Sequence, residues 1–285
     1  MTPDAYRTPV EMSDAGRQAS LLDRLPHDPA ELAAIVQGLM IHEHIAPAYD
    51  VTLSGEQHAE AHVRAVERML ERIAAHDARP LDQARPVGER LVGVCRHFTL
   101  LHVAMLRRQG VAARARCGFG AYFQAGKFLD HWVTEYWNEG EQRWVLFDAQ
   151  LDVRQRELFK VAFDPTDVPR DQFQVAGQAW QMCREGKADA GAFGILDMYG
   201  LWFIGGNVIR DLAALNNKEM LPWDVWGGMA GPDGALDLPF IDRLAALGRD
   251  PDGDAEALRA AYADKRVAVP DTVFNAVLNR PDRVN

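Results

Sequence analysis

Residues 92–106 would form a helix with apolar residues on nearly every side. A helix that is apolar all round lies in the interior of a domain, where other elements pack against it on every side. Arg107, Arg108 and Gln109 follow these residues, and Gly110 is a residue type that commonly ends a helix. The sequence therefore predicts a buried central helix that the remaining elements of the domain must enclose.

Antiparallel strands are predicted to follow this helix. Residues 111–123, VAARARCGFGAYF, alternate in character and include two glycines, a pattern that favours a strand. In residues 130–152, DHWVTEYWNEGEQRWVLFDAQLD, two runs rich in aromatic and β-branched residues flank a polar segment with a glycine, which is typical of a hairpin. A buried helix followed by antiparallel strands indicates an α+β fold.

The flanking regions are predicted to be mainly helical. Residues 1–27 are expected to form a loosely held lead-in, after which Asp28 and Pro29 supply the cap and the first residue of a helix. A second helix is predicted to begin at Ser54 and to continue through an apolar stripe that ends at Ile73. We expect a single domain over residues 1–285, divided as follows: N-terminal helices at 28–86, a core at 87–165 and a mostly helical C-terminal extension at 166–285.

Charge and hydropathy exclude several classes of partner. The 285-residue chain has a formal net charge of −10, whereas nucleic-acid and anionic-membrane binding both rely on a basic surface. No apolar run approaches the roughly 18 residues of a membrane-spanning helix. The polar N-terminal segment and three cysteines without a CxxC pair favour a reduced, cytoplasmic protein. We therefore expect no nucleic-acid or membrane partner, and the sequence leaves the oligomeric state open.

Cys95 lies at or just before the start of the central helix. A thiol at this position feels the positive end of the helix dipole, which favours the thiolate. The backbone N–H of Cys95 has no partner within the helix and could receive an oxyanion. These are two requirements of a cysteine nucleophile, although free cysteines are also among the most commonly buried residues and often serve only in packing.

The hairpin places a histidine near an aspartate. If Trp137 faces Trp144 across the loop, Val133 faces Asp148, and His131 projects from the same face of the ribbon as Asp148. Such diagonal neighbours lie about 7–8 Å apart at Cα, which is close enough for these two side chains to form a hydrogen bond. The carboxylate would then orient the imidazole as the third member of a nucleophile–base–acid triad. The alternative is an incidental histidine beside a surface aspartate.

Three segments together resemble the transglutaminase-like (papain-related) cysteine superfamily, and in particular bacterial transglutaminase-like domain proteins. They are GVCRHFTLLHVAMLRRQGVAARA, DHWVTEYW and RWVLFDAQ. The resemblance implies a core in which a buried cysteine-bearing helix packs on an antiparallel sheet. It also implies that Cys95 attacks an amide or other acyl carbonyl to form a thioester, with His131 as the base, Asp148 as the orienting acid and no cofactor. The expected substrate is a small molecule, peptide or protein that carries such a group.

Departures from the superfamily pattern leave the reaction subtype open. His97 stands two residues after the cysteine, where many relatives carry an acidic residue. The paired-cysteine zinc motifs of peptide N-glycanases and the Arg-Gly-Gly lead of arylamine N-acetyltransferases are both absent. Hydrolysis, transamidation and amide synthesis all remain possible. Gln37 and Trp132 are additional candidates for an oxyanion donor or a cleft residue.

Two other functions are compatible with the sequence. One is a catalytically silent binding or scaffolding module that keeps the transglutaminase-like fold. The other is a metal-dependent hydrolase that uses histidines of the N-terminal region, of which His58 and His62 are four residues apart. The segment HAEAH lacks the HExxH arrangement, in which glutamate directly follows the first histidine, so we assign no metal.

Overall fold

In the computed structural model, which describes residues 3–284, the central helix spans Cys95–Arg108. Every residue from Cys95 to Arg107 is buried. Gly110 follows with φ +78°, a left-handed conformation that glycine adopts without steric penalty, and the helix ends there. The predicted buried central helix is therefore confirmed.

The described residues form nine α-helices and eleven β-strands. The helices are α1 Pro29–Leu39, α2 Gly55–Glu60, α3 Val66–His76, α4 Cys95–Arg108, α5 Val153–Phe159, α6 Ala176–Arg184, α7 Leu201–Leu215, α8 Leu238–Arg249 and α9 Ala255–Tyr262. The strands are β1 Met40–His42, β2 Leu91–Gly93, β3 Ala113–Gly120, β4 Phe128–Asn138, β5 Arg143–Phe147, β6 Phe173–Val175, β7 Phe193–Ile195, β8 Met198–Tyr199, β9 Asp224–Val225, β10 Thr272–Asn275 and β11 Arg280–Arg283.

The main sheet has the strand order β6-β3-β4-β7-β8, and β5 also pairs with β4. Strands β3, β4 and β5 are antiparallel neighbours, and Trp137 lies opposite Trp144 in the β4–β5 ladder, which confirms the predicted register. Apolar side chains on one face of β3 and β4 join the main hydrophobic core together with those of α4 and α7. An antiparallel sheet packed on a buried helix is the α+β arrangement that the sequence predicts.

Two strands, β5 and β7, pair with different parts of the same edge of β4, and a stretch of β4 between them has no strand partner on that edge. β5 pairs with residues Thr134 to Asn138, and β7 pairs with Phe128 and Leu129. Residues 130–133 lie between these two ladders, so no described strand pairs with them on this edge. His131 therefore lies at an opening in the sheet.

A short parallel pair leads directly into α4. Strand β1 pairs with β2 so that His42 lies opposite Gly93, two residues before Cys95. A Cβ atom on Gly93 would lie 2.8 Å from the Met40 side chain and 2.9 Å from that of His97, closer than real Cβ contacts come. Glycine at this position therefore allows β1 to approach the start of α4.

The N-terminal helices differ in part from the prediction. α1 begins as expected, with the Asp28 carboxylate accepting hydrogen bonds from two backbone N–H groups. The prediction of a single helix from Ser54 to Ile73 is wrong, because α2 ends at Glu60 and α3 begins at Val66. At the turn between them, Arg64 enters the interior and pairs with Asp224 at 2.8 Å, a tertiary interaction that helical spacing does not reveal.

The lead-in is packed and not loosely held as predicted. Tyr6 is buried, and its hydroxyl donates a hydrogen bond of 2.9 Å to the carbonyl of Leu215. Leu22 is part of the main hydrophobic core, and Ser13 accepts a hydrogen bond from Arg107 of α4. The first two residues of the predicted lead-in lie outside the described residues. Contacts to α4 and α7 thus tie this segment to the centre of the molecule.

The segment 166–285, predicted as a mostly helical extension, contains α6 to α9 and also supplies strands. β6, β7 and β8 join the main sheet, and β9, β10 and β11 form a separate three-stranded sheet. The described part of the extension is therefore interleaved with the predicted core; residue 285 lies outside it. Within residues 3–284, no helix has both the length and the apolar character needed to cross a membrane.

Candidate active site

Cys95 is the first residue of α4, and the extended backbone of Val94 caps the helix. The thiol is in the interior, with 6% of the residue exposed. Because the first backbone N–H groups of a helix have no partner within it, the start of α4 presents donors and a positive dipole end near the sulfur. Cys95 therefore lies at the start of the buried helix, the position that the sequence predicts; its role as nucleophile stays a prediction.

His97 has a structural role at the start of α4. Its Nδ1 accepts a hydrogen bond from the backbone N–H of Val94 at 3.1 Å, and its Nε2 donates to the carbonyl of Val63 at 2.9 Å. Burial, assisted by the nearby charge of Arg96, lowers the pKa of His97 to about 3. His97 is therefore a neutral residue that joins the start of α4 to the turn between α2 and α3.

His131 and Asp148 form the predicted contact. The Nε2 atom of His131 lies 2.8 Å from Oδ2 of Asp148, and both side chains are buried. β5 ends at Phe147, so Asp148 leaves the strand just where it can meet the imidazole at the gap in β4. Since Nε2 is committed to Asp148, Nδ1 is the ring nitrogen left for Cys95.

The charge of His131 is set by its two partners. Burial favours the neutral imidazole, but the negative charge of Asp148 and its hydrogen bond oppose this effect. Cys95 acts in the same direction as Asp148, by a hydrogen bond and by its charge, and the pKa of His131 rises to about 10. The geometry therefore favours an imidazolium at neutral pH, held between a sulfur and a carboxylate.

Asp148 accepts hydrogen bonds from three donors. In addition to His131, the Tyr122 hydroxyl donates to Oδ2 at 2.7 Å, and the backbone N–H of Gln150 donates to Oδ1 at 3.0 Å. These three donors fix the position of the carboxyl group beside the imidazole. Tyr122 was missed by the sequence reasoning, since it lies in the segment after β3 and reaches Asp148 only through the tertiary fold.

Aromatic rings enclose His131 on one side. The ring centroids of Tyr122 and Phe123 lie 5.9 Å and 4.8 Å from that of the imidazole, both in edge-on geometry. Phe159 of α5 packs against Phe123 at 5.0 Å. Edge-on aromatic contacts are favourable and directional, so this wall limits rotation of the imidazole and excludes water from that side.

The two secondary candidates, Gln37 and Trp132, lie near the triad in different settings. The Gln37 side chain donates to the carbonyl of Ala149 at 3.1 Å and so holds α1 against the residue after Asp148. Trp132 points to the opposite face of β4 from His131 and is buried in the main core, and its indole N–H has no hydrogen-bond partner among the described residues. Their oxyanion or cleft roles stay predictions.

The N-terminal histidines do not share the helical face that their spacing suggested, because α2 ends before His62. His58 contacts Glu43 at 2.7 Å through Nδ1, whereas His62 contacts Asn275 at 3.1 Å. Across residues 3–284, no group of three or more histidine, cysteine or acidic side chains is arranged to hold a metal ion.

One sequence family and one solved structure show similarity to parts of the chain. Residues 47–149 match the sequence family described as the transglutaminase-like superfamily, and this range includes Cys95, His131 and Asp148. No curated protein matches the chain. A solved structure of a candidate cysteine protease from Cytophaga hutchinsonii aligns over 51% of this chain and 41% of its own, with 18% identity and a TM-score of 0.31. The family match covers about a third of the chain and supports cysteine-based catalysis in general; the described residues have an α+β fold.

Proposed function

We propose that the protein is a cysteine enzyme that transfers or hydrolyses an acyl group at an amide or other acyl carbonyl. The observation that carries this proposal is the placement of His131 between Cys95, at the start of a buried helix, and Asp148, at 2.8 Å. A buried carboxylate, an imidazole and a thiol in this order match the nucleophile–base–acid relay of cysteine acyl transfer.

The reaction proceeds through a thioester. The Cys95 thiolate attacks the carbonyl carbon, a carbon–sulfur bond forms, and the carbonyl electron pair moves to oxygen. The N–H groups at the start of α4 stabilise the resulting oxyanion. The imidazolium of His131 donates its proton to the leaving amine as the carbon–nitrogen bond breaks. Water or a second amine, deprotonated by the now neutral His131, then attacks the thioester carbonyl. The carbon–sulfur bond breaks, and the Cys95 thiolate leaves beside the His131 imidazolium.

The substrate is proposed to be a small molecule, peptide or protein that carries an amide or other acyl group. Hydrolysis and transamidation differ only in whether water or an amine resolves the thioester, so access of the second nucleophile decides between them. The aromatic wall of Tyr122, Phe123 and Phe159 shields one side of His131. That shielding favours entry of the second nucleophile, water or an amine, from the side of His131 opposite these rings.

Acylation by p-nitrophenyl acetate tests the proposal without knowledge of the natural substrate. The wild-type protein is expected to release one equivalent of p-nitrophenolate rapidly and to carry the acetyl group on Cys95, as mapped by peptide mass spectrometry. Cys117 and Cys183 are internal controls, because burial raises the pKa of both thiols, that of Cys183 to about 11. Acetylation of these two cysteines in place of Cys95 would contradict the proposal.

The rival function, a catalytically silent binding module, makes a different prediction. A binding module has no need of a reactive thiol, so a Cys95→Ala protein would keep its full biological activity. An enzyme of the proposed kind loses its activity with this substitution, because no other described cysteine lies next to His131.

A further inference from the structure

We infer that His42 is the second oxyanion donor of this site, through its Nε2–H group. The inference rests on the proposed function and extends it, since the start of α4 supplies only the backbone donors. A side-chain donor on the opposite side of the oxyanion would hold the carbonyl oxygen between β1 and α4.

The position of His42 beside Cys95 follows from two independent contacts. The parallel β1–β2 pair sets His42 opposite Gly93, two residues before the cysteine. The imidazole also stacks on Phe98, with ring centroids 6.4 Å apart and planes 25° from parallel. Because Phe98 follows Cys95 by three residues, the two side chains share a face of α4. His42 therefore lies over the face of α4 that carries the nucleophile.

Hydrogen bonding fixes which ring nitrogen of His42 carries the proton. The backbone N–H of His44 donates to Nδ1 of His42 at 3.2 Å. A backbone N–H can only donate, so Nδ1 must be the unprotonated acceptor, and in the neutral ring the proton is on Nε2. No hydrogen bond found within residues 3–284 engages Nε2, so this N–H is free to bind a ligand.

The surroundings of His42 keep its imidazole neutral. Burial of most of the ring is the largest effect, and the positive charge of His131 acts in the same direction, so that the pKa of His42 lies well below its usual range. A neutral imidazole donates a hydrogen bond without competing with His131 for the proton.

The other nearby side-chain donors are less suited to this role. Gln37 commits an amide hydrogen to Ala149, and both ring nitrogens of His97 are engaged. The indole nitrogen of Trp132 has essentially no exposed surface, so a substrate cannot reach it without a rearrangement. His42 is only partly buried, and its free N–H is therefore the side-chain donor best placed to meet a substrate that enters at Cys95.

Comparison of acylation with alkylation in His42 variants tests this role. Acylation by p-nitrophenyl acetate passes through an oxyanion, whereas alkylation by iodoacetamide displaces iodide at a saturated carbon and forms none. His42→Phe keeps the ring stacked on Phe98 but removes the donor, and we expect it to slow acylation by about 10²–10³-fold. Alkylation of Cys95 is expected to continue at the wild-type rate. His42→Gln places an amide N–H near the Nε2 position and is expected to restore acylation to within about tenfold of wild type.

The control is His58→Phe, the same chemical change on α2, where the side chain contacts Glu43. Unchanged acylation in His42→Phe would overturn the inference and leave the proposed function intact. An equal loss of acylation and alkylation would also overturn it, because His42 would then act on the thiolate or on the fold. If wild-type Cys95 is neither acylated nor alkylated, the result contradicts the proposed function, and the role of His42, which depends on that function, is contradicted as well.

Discussion

Asp148→Asn is expected to slow acylation of Cys95 at neutral pH by about 10²–10⁴-fold, the range that general acid–base catalysis contributes. The substitution removes the negative charge that, against the effect of burial, raises the pKa of His131 to about 10. It also creates a mismatch of donors, because His131, Tyr122 and the backbone N–H of Gln150 all donate to Asp148. An asparagine amide has a single acceptor oxygen, so its NH₂ group must face at least one of these donors.

Asp152→Asn is the matched control for this substitution. Asp152 lies four residues further along, accepts a hydrogen bond from Tyr49 at 2.7 Å and caps α5 through the backbone N–H of Gln155. Asparagine caps helices about as well as aspartate, so this variant should fold and acylate like wild type. The release of p-nitrophenolate under single-turnover conditions measures the acylation rate of both variants. Normal acylation in Asp148→Asn would mean that Asp148 does not orient the base.

A buried cluster of charged side chains connects the sheet to α7. Glu135 of β4 accepts hydrogen bonds from Arg114 at 2.7 Å and from Arg116 at 2.9 Å, both on β3. Arg116 also pairs with Asp211 of α7 at 2.8 Å. Arg170 donates to the second oxygen of Glu135 at 2.8 Å. Glu135 thus compensates the charge of two arginines that have almost no contact with solvent.

Glu135→Ala is expected to lower the free energy of unfolding by about 3–5 kcal/mol, as the loss of one partner from a buried ion pair does. The physical reason is that Arg114 and Arg116 remain buried, lose the carboxylate they share and keep only their pairs with Asp252 and Asp211. Urea unfolding followed by circular dichroism measures the change. Glu71→Ala removes the partner of Arg68 in an exposed pair and is the control, with a much smaller expected effect. Equal stability of the two variants would contradict the role of the cluster.

The same cluster predicts a dependence of stability on pH. Although burial opposes ionisation, the charges of Arg114, Arg116 and Arg170 hold the pKa of Glu135 well below its usual range. A depressed folded-state pKa contributes stability that is fully present above the unfolded value of about 4.3 and is lost as pH falls below it. Unfolding free energies measured from about pH 6 to 3 should therefore decline less steeply in Glu135→Gln than in wild type.

Features that depend on local sequence are predictable here. The central helix follows from the apolar residues on nearly every side of residues 92–106 and from the glycine stop at Gly110. The contact between His131 and Asp148 follows from strand register, because the pairing of Trp137 with Trp144 determines which residues face each other further along. Both depend on the residue pattern within a short segment, which the sequence displays directly.

Features that depend on distant contacts are not predictable in the same way. The break between α2 and α3 coincides with the ion pair of Arg64 and Asp224, residues 160 apart in the chain. His42 reaches the site only because β1 pairs in parallel with β2, and Tyr122 reaches it through the path of the segment after β3. In each case the tertiary fold, and not the spacing along the chain, determines which residues are in contact.

Alkylation of each cysteine by iodoacetamide across a range of pH, read by mass spectrometry, tests most directly whether Cys95 and His131 form a reactive pair. We predict that Cys95 reacts rapidly well below the ordinary free-thiol pKa of about 8.5, and faster than Cys117 and Cys183. His131→Ala should abolish this advantage, whereas His27→Ala, at an exposed position of the lead-in, should preserve it. A Cys95 that alkylates no faster than the other cysteines, or equally fast without His131, would contradict the proposed catalytic pair.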